Sequence, residues 1–352
     1  MAAEHTALVV GATGVTGGYL VRHLAERGDW RVHAVSRRPL APALRERVRH
    51  IPVDLLDAEA TAAAFRSLRD VTHLFYCGYA ERASADELIA INTAMLRHAL
   101  DGIEAASPAL ERVVLIEGTK YYGSHLGPFK TPAKESDPRV ATPHFYYAQE
   151  DLLVARQAGK GWSWAALRPH SVCGFALGSP MNLLTALGAY GAICRELGRP
   201  FAFPGKPRAF ETLYQVTDAG LLSRAMVWAA TSAPSNEAFN LTNGDLFRWR
   251  NLWPRLADFF GLPAAEPQPM RLVDWMADKA PVWDRIVARH GLQPHRFAEL
   301  ASWPFADFVF GTDYDVISDM GKARRHGFCD SVDSEAMFLE LLGGLRRRRI
   351  LP

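Results

Sequence analysis

Through the first half of the chain, short runs that are apolar nearly throughout alternate with amphipathic stretches. The apolar runs are Thr6–Val10, Arg31–Val35, Arg49–Val53, Thr72–Tyr76, Arg112–Ile116 and Trp162–Leu167. They predict strands covered on both faces, because a strand with one wet face would alternate apolar and polar positions. Between them the pattern predicts helices over Val15–Arg27, Ala58–Leu68, Ala85–Leu100 and Phe145–Gln157. Strand, helix, strand in this rhythm gives an α/β fold with a doubly wound parallel sheet. After about residue 168 the rhythm breaks, and Gly, Pro and aromatic residues crowd into RPHSVCGFALGSP and RPFAFPGKPRAF. The expected division is therefore a sheet domain over 1–168 and a smaller, mostly helical lobe over 169–352, with segments of the second returning to the sheet. No low-complexity linker separates the two.

Composition narrows the function classes. A chain of 352 residues buries a large core without staples. Lys+Arg (40) and Asp+Glu (38) nearly cancel, which removes the bulk electrostatic case for nucleic acid or an acidic membrane as main partner. There is no run of about 20 apolar residues, so no membrane span is expected. The start, MAAEHTALVVGATG, has no basic n-region and no cleavage site, and the expected compartment is the cytoplasm. Cys77, Cys173, Cys194 and Cys329 form no C-x-x-C pair, so neither a metal site nor a redox dithiol is expected. Abundant Ala, with 33 Arg against 7 Lys, suits a GC-rich bacterial gene. The basic run Arg346–Arg349 reads as a solvated chain end.

The first strand leads straight into Gly11-Ala-Thr-Gly14-Val-Thr-Gly17, followed by a helix. Glycines there allow a sharp turn, a close approach of backbone to a pyrophosphate, and packing of helix on strand. The helix N-terminus adds free N–H groups and a positive dipole end. Gly11, Thr13, Gly14, Val15 and Gly17 are thus candidate cofactor ligands in a Rossmann fold. NAD-binding domains place an acid after the second strand for the ribose 2′-OH. This chain has Ser36-Arg37-Arg38 there, and guanidinium groups fork onto a 2′-phosphate, so NADPH is expected over NADH. Asp54-Leu55, after the third strand, sits where such folds meet the adenine; a surface loop explains it nearly as well.

A glycine loop of this type suggests short-chain dehydrogenase chemistry, which uses a tyrosine with a lysine four residues later. None of the ten tyrosines has Lys at that position; Tyr146 is followed there by Glu150. A lysine does stand at the carboxyl end of the fifth strand, in Gly118-Thr119-Lys120, where parallel sheets bind ligands. Tyr146 begins a helix expected beside the same edge. On position alone, Lys120 and Tyr146 fit a catalytic pair, or a surface lysine and a packing aromatic, equally well.

The motifs GATGVTG (11–17), SRRP (36–39), THLFYCGY (72–79), GTK (118–120), LGPF (126–129), FYYAQEDLL (145–153) and LRPHSVCGFALGSPMNLL (167–184) carry a resemblance. So do AYGAICRELGRPFAFPG (189–205), FNLTNGDLFRW (239–249) and MGKARRHGF (320–328). Together they resemble, over essentially the whole chain, the plant progesterone 5β-reductase and iridoid synthase-like enzymes, a divergent branch of the short-chain dehydrogenases. The resemblance implies 1,4-reduction of enones or enals with NADPH, hydride going to the β-carbon. It implies Lys120 and Tyr146 as the catalytic pair that stabilises the enolate. It also places Tyr76, Pro169 and Val172 beside the cofactor, and Tyr121, Phe129 and Phe305 around a small hydrophobic substrate. His170 and Asn92 are read as backbone and helix contacts. The loop departs from the plant pattern: Tyr121-Tyr122-Gly123 replaces His-Tyr, and Ser124-His125 is inserted before LGPF. A steroid or iridoid substrate therefore does not carry over. Carbonyl reduction, sugar-nucleotide epimerase or dehydratase chemistry, and a non-catalytic NADP(H) sensor are the alternatives. Monomer and homodimer both fit.

Overall fold

Each of the six apolar runs forms a strand in the structure, a computed structural model that describes residues 5–352. Residues 1–4, part of the start read above as lacking a leader, lie outside the described residues. The strands are β1 (His5–Val10), β2 (Trp30–Val35), β3 (Arg49–Ile51), β4 (His73–Tyr76), β5 (Arg112–Ile116) and β6 (Ser163–Pro169). β3 stops at Ile51 because Pro52 has no N–H for the ladder. A seventh strand, Glu237–Leu241, returns from the second half and pairs with β6. The sheet order is this strand, then β6, β5, β4, β1, β2, β3, all parallel. Strand order reverses between β1 and β4, which opens a crevice at their carboxyl ends.

Four helices cover the first half: α1 (Val15–Arg27), α2 (Ala58–Phe65), α3 (Ala85–Ala106) and α4 (Phe145–Gln157). Leu20, Val21 and Leu24 of α1 pack on one sheet face with Leu221, Leu222 and Met226 of the helix Ala219–Thr231. Phe65, Leu96, Leu100, Ile103 and Leu153, from α2, α3 and α4, cover the other face. α3 runs past the expected end at Leu100. Its Gly102 is a packing site rather than a stop: a Cβ there would lie 2.9 Å from a ring carbon of Phe65. The helix expected to reach Leu68 gives way after Phe65 to a tight turn, in which Leu68 N–H donates to Phe65 O (2.8 Å).

The remaining chain wraps α5 (Leu183–Glu196) and the helices Trp249–Phe260, Ala280–His290, Trp303–Gly311 and Ser334–Arg347 around an aromatic core. At its centre Phe201 and Trp253 stack face to face, 4.5 Å apart. No helix among the described residues is long and apolar enough to cross a membrane. All four cysteines are unpaired.

Candidate active site

Val10 pairs in register with both Val35 and Tyr76, so β1, β2 and β4 end level and release their loops at one edge. Between these loops and the second lobe lies a cleft of about 720 Å³. Its cofactor end is built on the glycine loop. Gly11 has φ +77°, and a Cβ there would lie 2.5 Å from the Cys77 carbonyl oxygen. A Cβ on Gly17 would lie 2.4 Å from Gly11 O, so any side chain at either position would push the loop off the strand. Gly11 and Ala12 N–H both donate to Val35 O (3.1 Å). The N-cap of α1, Gly14, supplies no side-chain acceptor, which leaves first-turn N–H groups for a ligand.

The two arginines after β2 differ. Arg38 is committed to protein: it donates to Leu177 O (2.8 Å) and Thr13 O (3.3 Å). The Arg37 side chain is 69% exposed, and its nearest acid, Asp54, is 3.8 Å away. That ion pair is weak and screened, so Arg37 is the guanidinium free to meet an added phosphate. Ser36, Asp54 and Leu55 also line the cleft. These residues fit a dinucleotide cofactor.

The other end holds Lys120 and Tyr146, which line the same cleft. Lys120 sits in a 3₁₀ turn, Thr119–Tyr122, directly after β5. It forms no ion pair among the described residues. Its ammonium lies 5.8 Å from the Phe308 ring centre. Burial lowers its pKa, and the Glu81 carboxylate opposes that shift. Tyr146 is the second residue of α4, whose first turn is capped by His144: Tyr146 N–H donates to His144 Nδ1 (3.2 Å). Its hydroxyl stands over Gly118, where a Cβ would lie 3.0 Å from Tyr146 Oη and 3.3 Å from Pro169 O. Burial, and then the charge of Glu117, push the phenol pKa up, so Tyr146 stays protonated.

Gly11, Thr13, Gly14, Val15, Gly17, Pro169, Val172 and Phe305 all line the cleft. Tyr76, Tyr121 and Phe129 do not. Tyr76 points to the opposite sheet face, beneath Gly78, and Cys77 and Gly78 take its place at the edge. Successive residues of a 3₁₀ turn point about 120° apart, so with Lys120 facing the cleft Tyr121 faces inward. Its hydroxyl donates to Glu150 (3.0 Å) and its ring lies 3.3 Å under the Arg168 guanidinium. Phe129 packs between the lobe core and the aromatic cluster around Tyr121 and Phe145.

His170 lines the cleft but is buried edge-on against Tyr214 (4.6 Å), and burial drops its pKa to about 3. Its backbone N–H donates to Thr217 Oγ1 (3.0 Å). Asn92 is a buried bracket for the β4 loop, exchanging hydrogen bonds with Ala80 N–H and O (both 2.9 Å). The sequence reading missed Phe308, Tyr79, Tyr214 and Glu117. Phe308 was signalled by its three-residue spacing from Phe305. Glu117 was signalled as a charge ending an otherwise apolar strand.

A family model described as the PRISE-like Rossmann-fold domain matches residues 7–352. This chain belongs to that family. It is 34% identical over 370 residues to an (S)-8-oxocitronellyl enol synthase of Camptotheca acuminata, covering 99% of this chain and 94% of that one. It is 35% identical over 367 residues to a 3-oxo-Δ(4,5)-steroid 5β-reductase of Arabidopsis thaliana, with the same coverage. A short-chain dehydrogenase/reductase superfamily protein from Agrobacterium tumefaciens, solved with bound NAD, superposes with a TM-score of 0.66 at 16% identity over 98% of both chains. At that identity the likeness speaks for the fold alone.

Proposed function

We propose that this PRISE family member is an oxidoreductase that reduces activated C=C bonds of enones or enals with NADPH. One observation carries the reading: a protonated phenol with no hydrogen-bond partner and a desolvated lysine with no ion pair, among the described residues, face one cleft floored by a glycine loop. The glycine loop and the start of α1 would hold the pyrophosphate, and Arg37 the 2′-phosphate. When bound, the reduced dinucleotide supplies the hydride that goes to the substrate β-carbon. Tyr146 Oη donates to the carbonyl oxygen, where negative charge grows as the enolate forms. Lys120 adds positive potential beside it. Phe305, Phe308, Tyr214 and Val316 offer an apolar wall suited to a small hydrophobic substrate. The reductase named among the relatives supports the reaction class.

The test is loss of reduced-nicotinamide absorbance with NADPH, then NADH, across linear enals and cyclic enones. Turnover with NADPH that falls in both Lys120→Ala and Tyr146→Phe is expected. Turnover unchanged in both variants would overturn the site assignment, and NADPH binding without turnover on any enone, ketone or aldehyde would favour a sensor.

A further inference from the structure

Behind Tyr146 lies a buried ionic cluster that the proposed reaction does not use. β5 and β6 pair so that Ile116 stands opposite Leu167, which brings the next residues, Glu117 and Arg168, together at the strand ends. Both side chains are sealed from solvent, at 0% and 2% exposed. Arg168 donates through Nε to Glu117 Oε2 (2.7 Å), through Nη2 to Glu150 Oε1 (2.8 Å) and through Nη1 to Tyr122 Oη (3.2 Å). Arg139 adds a second cation against Glu150. Within this cluster, Glu117 Oε1 is left buried without a partner among the described residues. Glu117 lines the cleft one residue before the glycine over which the Tyr146 hydroxyl stands.

We propose that Glu117 is a positioning residue for Tyr146: the charge on its carboxyl group, held behind the phenol by Arg168, sets how strongly that phenol donates to substrate oxygen. The inference rests on the role given above to Tyr146. An oxygen denied water and hydrogen-bond partners disfavours the carboxylate form. Burial accordingly pushes the Glu117 carboxyl up to about 7, against the pull of Arg168. The groups that face it are Arg168 from β6, Tyr122 from the 3₁₀ turn, Tyr146, Tyr147 and Glu150 from α4, and Arg139 from the preceding loop. Arg168 and Arg139 favour its ionised form, burial and Glu150 oppose them, and the phenols stay neutral around it. As a carboxylate, Glu117 raises the pKa of the Tyr146 phenol and so makes it a weaker donor. Protonated, it releases Tyr146 as a stronger donor.

The experiment is the pH profile of kcat/KM for enone reduction, wild type against Glu117→Gln, with NADPH binding followed alongside. Wild-type kcat/KM should fall about threefold or more as pH rises through neutrality. Glu117→Gln should lose that limb and stay on the low-pH plateau, with NADPH binding unchanged. A limb that persists in place in Glu117→Gln overturns the proposal. Should Glu117→Gln fail to fold, wild-type protein labelled with carboxyl-¹³C glutamate decides: one carboxyl titrating near neutrality supports it, and none above the ordinary carboxylate range overturns it. The labelled wild type and Tyr146→Phe also separate the two readings. If no enone turns over, the reductase reading fails, while a near-neutral carboxyl whose midpoint moves in Tyr146→Phe still upholds the coupling and an unmoved one rejects it.

Discussion

Acidification should destabilise this protein well before most of its carboxylates are titrated. His73, His144 and His170 are buried, and burial pushes their pKa values down to about 4, about 3 and about 3. In the unfolded chain each ring takes a proton near 6.5. The folded values are depressed, so the stability these rings contribute is complete above that pH and is lost as pH falls toward the folded values. At about pH 5 each neutral buried ring costs about 2 kcal/mol, and the three together about 6 kcal/mol, a large part of the 5–15 kcal/mol that holds a typical domain. His33, also buried, shifts in the same direction. Glu117 works the other way: its folded pKa is raised, so protonation on acidification relieves the native state and offsets part of the loss. Urea unfolding followed by tryptophan fluorescence between about pH 7.5 and about pH 5 measures the sum. The midpoint should hold steady at the upper end and then fall steeply. His73→Phe, set among Trp30, His5 and Phe75, should remove about a third of that slope. A midpoint unchanged down to about pH 5 would refute the reasoning.

Gly118→Ala places a methyl group 3.0 Å from the Tyr146 hydroxyl, and should lower turnover by about tenfold or more while NADPH binding persists; titration of cofactor fluorescence beside steady-state rates separates the two. Arg37→Ala should weaken NADPH about tenfold or more and leave NADH nearly unchanged, read by binding titration with both. Arg168→Met strands Glu117 and Glu150 without their cation and should cost about 3–5 kcal/mol in urea unfolding. Gly11→Ala, forced to φ +77° and against Cys77 O, should abolish dinucleotide binding and lower the melting temperature.

The sheet was legible because its strands are sealed on both faces, which leaves unbroken runs such as Ala7–Val10 and Val113–Leu115. The lobe was not, because its order comes from contacts such as Phe201 on Trp253 and from ladders only two residues long, neither of which leaves a local period. In the site, glycines and strand ends could be read since their position alone dictates their use. Side-chain direction could not. Tyr121 looked like a neighbour of substrate until the 3₁₀ turn sent it inward, and Tyr76 fell to the other pleat of β4. Glu117 and Arg168 were visible as charges in apolar strands, but only the register of β5 on β6 shows that they meet.

The strand Glu237–Leu241 completes the sheet from far along the chain. During synthesis β6 must therefore wait, the N–H and C=O groups of its outer edge unmatched, while the whole of α5 and Ala219–Thr231 leaves the ribosome. A fragment cut at residue 168 would expose that raw flank for good. It should self-associate along β6 rather than persist as a small nucleotide-binding module.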